Sequence, residues 1–146
     1  MATEDDIPRI LELYRQLSIG TARAELSHNS ALEDYLRVFK EFSKIPGHEL
    51  LVADYKGEVV GTIVFLIVPN LSHRALPWAL VENVVVDENY RRHGIGKLLM
   101  DYAITRAKKA GCYRIALSSD KRRKEAHQFY RSLGFEASAE GLRLYF

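Results

Sequence analysis

Arg91, Arg92, His93, Gly94, Ile95 and Gly96 stand together between the apolar run Val84–Val86 and a stretch of helical spacing that continues through Lys97 and Leu98. A glycine-containing turn that follows a strand and opens a helix leaves several backbone N–H groups unpaired at the positive end of the helix dipole. Such a junction suits an anion. Arg91, Arg92 and Lys97 add positive charge, and Gly94 and Gly96 remove Cβ atoms that would hold phosphate oxygens off the backbone. Two common phosphate motifs fail here. A P-loop reads GxxxxGK[ST], but Arg91 stands five residues before Gly96 and Leu98 follows Lys97. A dinucleotide fingerprint needs a third glycine where Leu99 stands, and an acid at the right distance on a second strand. What remains is Arg-x-x-Gly-x-Gly after an apolar strand and before a helix.

The elements that must position this junction follow from periodicity. "EDDIPRILELYRQL" carries Ile7, Ile10, Leu11, Tyr14 and Leu17 at helical spacing, with acids and Pro8 near its start. "ALEDYLRVFKEFSK" puts Leu32, Tyr35, Leu36, Phe39 and Phe42 on one face and stops at "IPGH"; "GTARAELSHNS" between them reads as a loop. "ELLVADY", "KGE" and "VVGTIVFLIV" read as a hairpin, and after the loop "PNLSHRALP" comes the strand "ALVENVVVD". The helix after the junction turns Ile95, Leu98, Leu99, Tyr102, Ala103, Ala107 and Ala110 inward. "CYRIALSS" is a strand, "KEAHQFYRSLGF" a short helix ending near Gly134, and "GLRLYF" a final strand. This order predicts an α+β fold, a sheet covered by helices with hairpins and one strand–helix–strand crossover.

Composition bounds the function. A chain of 146 residues with 47% hydrophobic and 27% charged residues is an ordinary globular chain the size of one domain, so residues 1–146 are expected to form a single domain. The longest apolar stretch, near residues 59–68, falls far short of the ~20 residues of a membrane span, and the acidic N-terminus has no apolar signal core. A cytoplasmic location without membrane contact is expected. The single cysteine, Cys112, excludes an intrachain disulfide and a thiolate cluster, and reads as a small buried hydrophobe. The five histidines form no HxH or HxxxH pair, so no metal is expected. Net charge is only +2, which argues against a nucleic-acid partner despite basic clusters at 91–92 and 121–124.

With "EAHQFYRSLGF" downstream at residues 125–135, the Arg-x-x-Gly-x-Gly junction resembles the GCN5-related N-acetyltransferase (GNAT) superfamily. The two motifs cover about residues 80–135, and the element order extends the likeness over nearly the whole chain. The resemblance implies a central mixed, mostly antiparallel sheet flanked by helices, the first edge strand being short or missing because few residues precede the first helix. It implies acetyl-CoA as cofactor, its pyrophosphate on Arg91, Arg92, His93, Gly94, Ile95, Gly96 and Lys97. Main-chain groups of Val84, Val85 and Val86 would hold the pantetheine arm, with Ser119, His127 and Tyr130 also at the cofactor. Tyr130 takes the family's general-acid position, a phenol able to protonate a departing thiolate. Glu82 takes the position of an acid that binds or deprotonates the amine in several members. If Glu82 faces the cleft, strand alternation sends Val84 and Val86 to the same side. Many members carry an asparagine where this chain has Arg123, so the contacts of that asparagine are not implied here.

Each group also has a plainer reading: Tyr130 as a core aromatic, Glu82 as an outward strand carboxylate, His93 as a lone loop histidine, and "KRRK" at 121–124 as a solvated helix start. By analogy the loops at 20–30 and 69–78 border the acceptor, making His28, His73, Arg74 and Trp78 candidates, with Arg74 suited to an acidic acceptor. The expected activity is transfer of an acetyl group to a primary amine of a small molecule by direct attack in a ternary complex, in a possible homodimer. Alternatives are a non-catalytic acyl-CoA-binding or sensing domain and a protein or peptide N-acetyltransferase.

Overall fold

The computed structural model describes residues 1–17 and 31–146, in two compact units, Met1–Ala116 and Leu117–Phe146. The expected loop at residues 20–30, with His28, lies outside the described residues.

In the first unit a 3-10 turn, Glu4–Asp6, leads into α1 (Ile7–Arg15). Thr3 N donates to Asp6 Oδ2 at 2.8 Å, and Pro8 sits in the first turn of α1, where its missing N–H costs nothing. Helix α2 (Leu32–Phe42) follows, then β1 (His48–Tyr55) and β2 (Glu58–Val68). The hairpin between these strands turns on Lys56 and Gly57, at φ 53° and 87°. That left-handed pair matches the twist of antiparallel strands, and Asp54 Oδ1 ties it by accepting from Gly57 N at 2.9 Å. Strand β3 (Trp78–Val86) pairs antiparallel with β2, and α3 (Ile95–Lys109) crosses over to β4 (Ile115–Leu117). Tyr113 N donates to Pro77 O at 3.0 Å and Ala79 N to Arg114 O at 2.9 Å, in the parallel sense that a crossover requires. The sheet order β1-β2-β3-β4 is thus the mixed, mostly antiparallel sheet expected. The missing first strand is reduced to one bond, Ala2 N to Leu50 O at 2.8 Å.

Both faces of the sheet are packed. On one, Ile7, Ile10 and Leu13 of α1 join Leu50, Val59, Val64 and Val85, with Leu36, Phe39 and Phe42 of α2 at the margin. On the other, Leu99, Met100, Ala103 and Ala107 of α3 are buried over β2 and β3. Each fully buried Val, Leu, Ile or Met side chain contributes roughly 1.5–3 kcal/mol. Gly61 lets α3 approach, because a Cβ there would stand 3.1 Å from Ile95 Cγ2 and 3.2 Å from Leu99 Cδ1.

The faces predicted for the helices need correction. Leu98 and Tyr102 are exposed, and Met100 takes the buried place, because the seam on α3 runs 99, 100, 103, 107. Leu32 and Tyr35 likewise lie at the exposed side of α2.

In the second unit, α4 (Lys124–Ser132) closes with Gly134 at φ 94°, Gly134 N donating to Arg131 O and Phe135 N to Tyr130 O. The expected final strand "GLRLYF" is not formed: residues 141–146 carry no regular structure, and Leu142, Leu144, Tyr145 and Phe146 are exposed. Alternating composition alone does not make a strand, which needs a ladder for its N–H and C=O groups.

Candidate active site

The candidate groups of the first unit lie along one continuous path, β3 to α3. Midway along β3, Val64 faces Glu82 and Thr62 faces Val85, so Ile63 is opposed by two residues, Asn83 and Val84. This is a β-bulge, and Asn83 adopts φ 51°, a left-handed value that asparagine tolerates better than most residues. A bulge releases strand N–H groups from the ladder. It also reverses the side-chain parity. Directly opposed residues share a face, and Val64 and Val85 lie in the α1-side core, so Glu82 shares that face with Val85. Val84 and Val86 turn to the α3 face, which corrects the expectation that they accompany Glu82. Tyr14 of α1 approaches the Asn83 side chain at the bulge, and burial pushes its hydroxyl up to about 12.

Beyond Val86 the chain is fastened before it reaches the anion loop. Asp87 is buried at 4% exposure. Its Oδ1 accepts from Asn89 N at 2.8 Å, starting the 3-10 turn Glu88–Tyr90, and its Oδ2 accepts from Arg9 Nη2 of α1 at 2.5 Å. The Asn89 N–H, and after it the Arg9 guanidinium, holds the Asp87 carboxyl below the usual carboxylate range against the opposing effect of burial. Gln16 Oε1 accepts from Glu88 N at 3.0 Å, a second tie from α1 to the turn. The sequence gives no sign of this pairing, since Arg9 and Asp87 lie 78 residues apart.

The loop itself is exposed from Arg91 to Gly94. Arg91 Nε donates to Val86 O at 3.2 Å, and Arg92 and Gly94 take φ 63° and 78°. A Cβ at Gly94 would meet nothing within 4 Å, so glycine serves conformation there more than space. The first intrahelical bond is Leu98 N to Gly94 O at 3.0 Å, leaving the N–H groups of Ile95, Gly96 and Lys97 at the helix mouth. His93 Nδ1 lies 3.0 Å from Tyr90 O and 2.9 Å from Arg91 O. Both neighbours accept, so Nδ1 carries the proton and the ring braces the loop. Lys97 Nζ is paired with Asp101 at 2.5 Å. A cleft of about 210 Å³ beside the loop is lined by Tyr55, Asn89, Tyr90, His93 and Ile95. A wider hollow of about 610 Å³ is lined by α2 and Lys44 just beyond it, and holds none of the candidate groups.

The other acceptor candidates of this unit gather at the start of β3. His73 and Arg74 belong to a left-handed turn, Ser72–Ala75, with φ of 51° and 60°. The His73 ring stacks on Tyr113 at 4.1 Å, and Arg114 lies over Trp78 at 4.9 Å. Tyr113 and Arg114 were not among the sequence candidates, their one signal being the aromatic-basic pair inside "CYRIAL".

The second unit holds Ser119, His127 and Tyr130. The Ser119 hydroxyl is buried without a hydrogen-bond partner, an orphaned donor that a ligand group would satisfy. Tyr130 is half-buried on α4 between Phe129 and Phe135, with ring centroids 5.3 and 6.0 Å away, and His127 stands one turn before it. In the basic run, Arg122 is held by Asp120 at 2.9 Å, which offsets part of that charge. Burial pushes the Cys112 thiol up, away from nucleophilic use. Among the described residues no three His, Cys, Asp or Glu side chains gather as a metal set, and no helix is long and apolar enough to cross a membrane.

Comparison with known proteins gives this geometry a context. A glucosamine 6-phosphate N-acetyltransferase of Trypanosoma brucei brucei is 38% identical over 90 residues, 60% of this chain and 58% of that protein. An uncharacterised N-acetyltransferase of Methanocaldococcus jannaschii is 30% identical over 136 residues, 92% of this chain and 58% of that one. The chain therefore spans under two thirds of the length of these relatives. Among solved structures, a candidate acetyltransferase from Agrobacterium tumefaciens str. C58 superposes with a TM-score of 0.87 at 33% identity, covering 99% of this chain and 96% of that one. A protein from Bacillus halodurans C-125 described as a transcriptional regulator gives 0.86 at 34%, with the same coverage. The sequence profile of the acetyltransferase (GNAT) family matches residues 9–135, from the Arg9 that ties the turn before the anion loop to the Phe135 that closes α4. With the bulged strand and the loop at a helix mouth inside that match, the chain belongs to the GNAT family.

Proposed function

We propose that the chain is an acetyl-CoA-dependent N-acetyltransferase that acts on a primary amine of a small molecule, the two substrates meeting in one ternary complex. The observation that carries this reading is the run from the β3 bulge through the Asp87 turn to the mouth of α3: released strand N–H groups lead into a loop built for an anion. Acetyl-CoA, when bound, supplies the acetyl group as an activated thioester. The N–H groups of Ile95, Gly96 and Lys97, with Arg91 and Arg92, would hold its pyrophosphate, and the main chain of Val84, Val85 and Val86 its pantetheine arm. The orphaned Ser119 hydroxyl fits a cofactor contact. Glu82 Oε accepts a proton from the acceptor ammonium, giving the neutral amine that attack requires, and Tyr130 Oη holds the proton that a departing sulfur takes up. The family match, which runs through both units, supports a single acetyltransferase domain. The glucosamine 6-phosphate N-acetyltransferase relative favours a small, polar acceptor.

Calorimetric titration with acetyl-CoA tests the reading, repeated on an Arg91→Ala, Gly94→Glu variant. Saturable binding lost in the variant supports it, and no binding by the unmodified protein overturns it. A screen of amines for thiol release then tests catalysis. Cofactor binding with no turnover on any amine would favour the non-catalytic sensing domain, a reading that the Bacillus halodurans neighbour keeps open. A homodimer accompanies the enzyme reading, and light scattering after gel filtration tests it.

A further inference from the structure

We infer that Trp78, Tyr113 and Arg114 form the far end of the acceptor site and take an anionic group, a phosphate or carboxylate, carried by the acceptor amine. The inference rests on the reading of Glu82 as the group that receives the amine. In the β2–β3 register Trp78 faces Val68, Leu80 faces Leu66 and Glu82 faces Val64, so Trp78, Leu80 and Glu82 share one face of β3. They are half-buried, while the intervening Ala79 and Val81 are sealed in the opposite core at 0% and 1% exposure. A strip therefore runs from an aromatic ring, across an apolar floor, to a carboxylate. Four residues of strand make it about 13 Å long at ~3.3 Å per residue.

The ring end is cationic. The Arg114 guanidinium lies 4.9 Å from the Trp78 ring centroid and 5.4 Å from that of Tyr113. A guanidinium held over aromatic rings as a cation–π partner keeps N–H donors that match phosphate and carboxylate oxygens. Among the described residues no Asp or Glu pairs with Arg114 or Arg74. Tyr113 is itself backed by His73, stacked at 4.1 Å and 12°. That stack depends on an unusual backbone, since His73, Arg74 and Ala75 all have φ between 51° and 60°. Three successive left-handed residues with side chains are disfavoured by the clash of Cβ with the following carbonyl, so the turn needs outside support. Asn70 fastens the turn, its Nδ2 donating to Ser72 O at 3.0 Å and Leu76 O at 3.3 Å. The strip thus pairs a carboxylate at one end with a guanidinium over two aromatic rings at the other, the complement of a small molecule with an amine and an anion at opposite ends.

Calorimetry on the full chain tests this with two probes, hexosamine 6-phosphate and the free hexosamine, each titrated in the presence of coenzyme A. The phosphate-bearing amine is expected to bind at least tenfold more tightly, and Arg114→Gln to remove that advantage while moving the free hexosamine less than twofold. Lys109→Gln, which removes a positive charge elsewhere, should leave the preference in place, and Arg114→Lys should restore only part of it. Equal binding of the two amines by the unmodified protein would overturn the inference, as would an equal loss for both in Arg114→Gln or the same effect from Lys109→Gln. Coenzyme A is titrated first on its own. Its failure to bind would remove the acetyltransferase reading, whereas the amine pair reads the anion site in either case.

Discussion

Arg9→Met should destabilise the protein by about 2 kcal/mol. Its guanidinium donates to Asp87 Oδ2 at 2.5 Å and, through Nε, to Val59 O at 3.0 Å, so it joins α1 to both the start of β2 and the end of β3. Removing one partner of a buried ion pair costs roughly 3–5 kcal/mol. Asp87 qualifies at 4% exposure, but the Arg9 side chain keeps 27%, so water can replace part of what is lost. The figure therefore falls to about 2 kcal/mol, or a drop in Tm of about 4–8 °C for a chain of this length. The paired variant Arg9→Met, Asp87→Asn should lose less than the sum of the two single changes, because neither leaves the other's charge buried alone.

The pH dependence carries a sign. The Asp87 carboxyl is held below its ordinary value by the Asn89 N–H and then by Arg9. A group with a depressed folded pKa contributes stability that is complete above its unfolded value, near pH ~3.9, and is lost as pH falls through the folded value. The advantage of the unmodified protein over Arg9→Met should thus be constant from about pH 5 to 8 and shrink below about pH 4. Urea unfolding at pH 7, 5, 4 and 3 measures it. A loss under about 0.5 kcal/mol at pH 7, the size of an ordinary surface change, would refute the reasoning, as would a difference that persists undiminished to pH 3.

Tyr130→Phe should lower turnover by about 10²-fold or more, the scale of a lost general acid, with acetyl-CoA affinity unchanged; unaltered steady-state rates across pH would remove the hydroxyl from the mechanism. Glu82→Gln should cost most at low pH, where the acceptor is an ammonium needing a base, and least as pH approaches the amine's own pKa; a defect of equal size at every pH in the rate profile would assign Glu82 to binding alone. Gly94→Ala should cost about 1–2 kcal/mol, since its φ of 78° burdens any Cβ even though the space is open. Thermal unfolding reads that cost, and Gly94→Asn should recover part of it.

What the sequence revealed was local. The hairpin was legible because two short β-type apolar runs flank the turn residues Lys56-Gly57, and the loop before α3 because an apolar run, two glycines and a helical repeat meet within a dozen residues. The bulge at Asn83 was not. "VENVVV" has the composition of an unbroken strand, yet one left-handed residue reverses every later side chain, so Glu82 faces with Val85 and not with Val84 and Val86. The exposed side of α3 was misread because Leu98 and Tyr102 fit the repeat as well as Met100 does, and only packing around Gly61 decides which side is buried.

The groups that set the candidate site's geometry come from far along the chain: Arg9 to Asp87, Tyr14 to Asn83, Arg114 to Trp78. Each is a polar or aromatic side chain whose partner no spacing rule names, because the pairing depends on which strands lie side by side once the core has formed. Two of the three start from α1, the first helix, and end within five residues of Glu82, one on β3 and one just past its end. α1 therefore does more than cover the sheet: it reaches the bulge with Tyr14 and fastens the turn before α3 through Arg9 and, just past the helix end, Gln16. A change on α1 that spared the core but cut these ties would shift Glu82 and the loop at the mouth of α3 together.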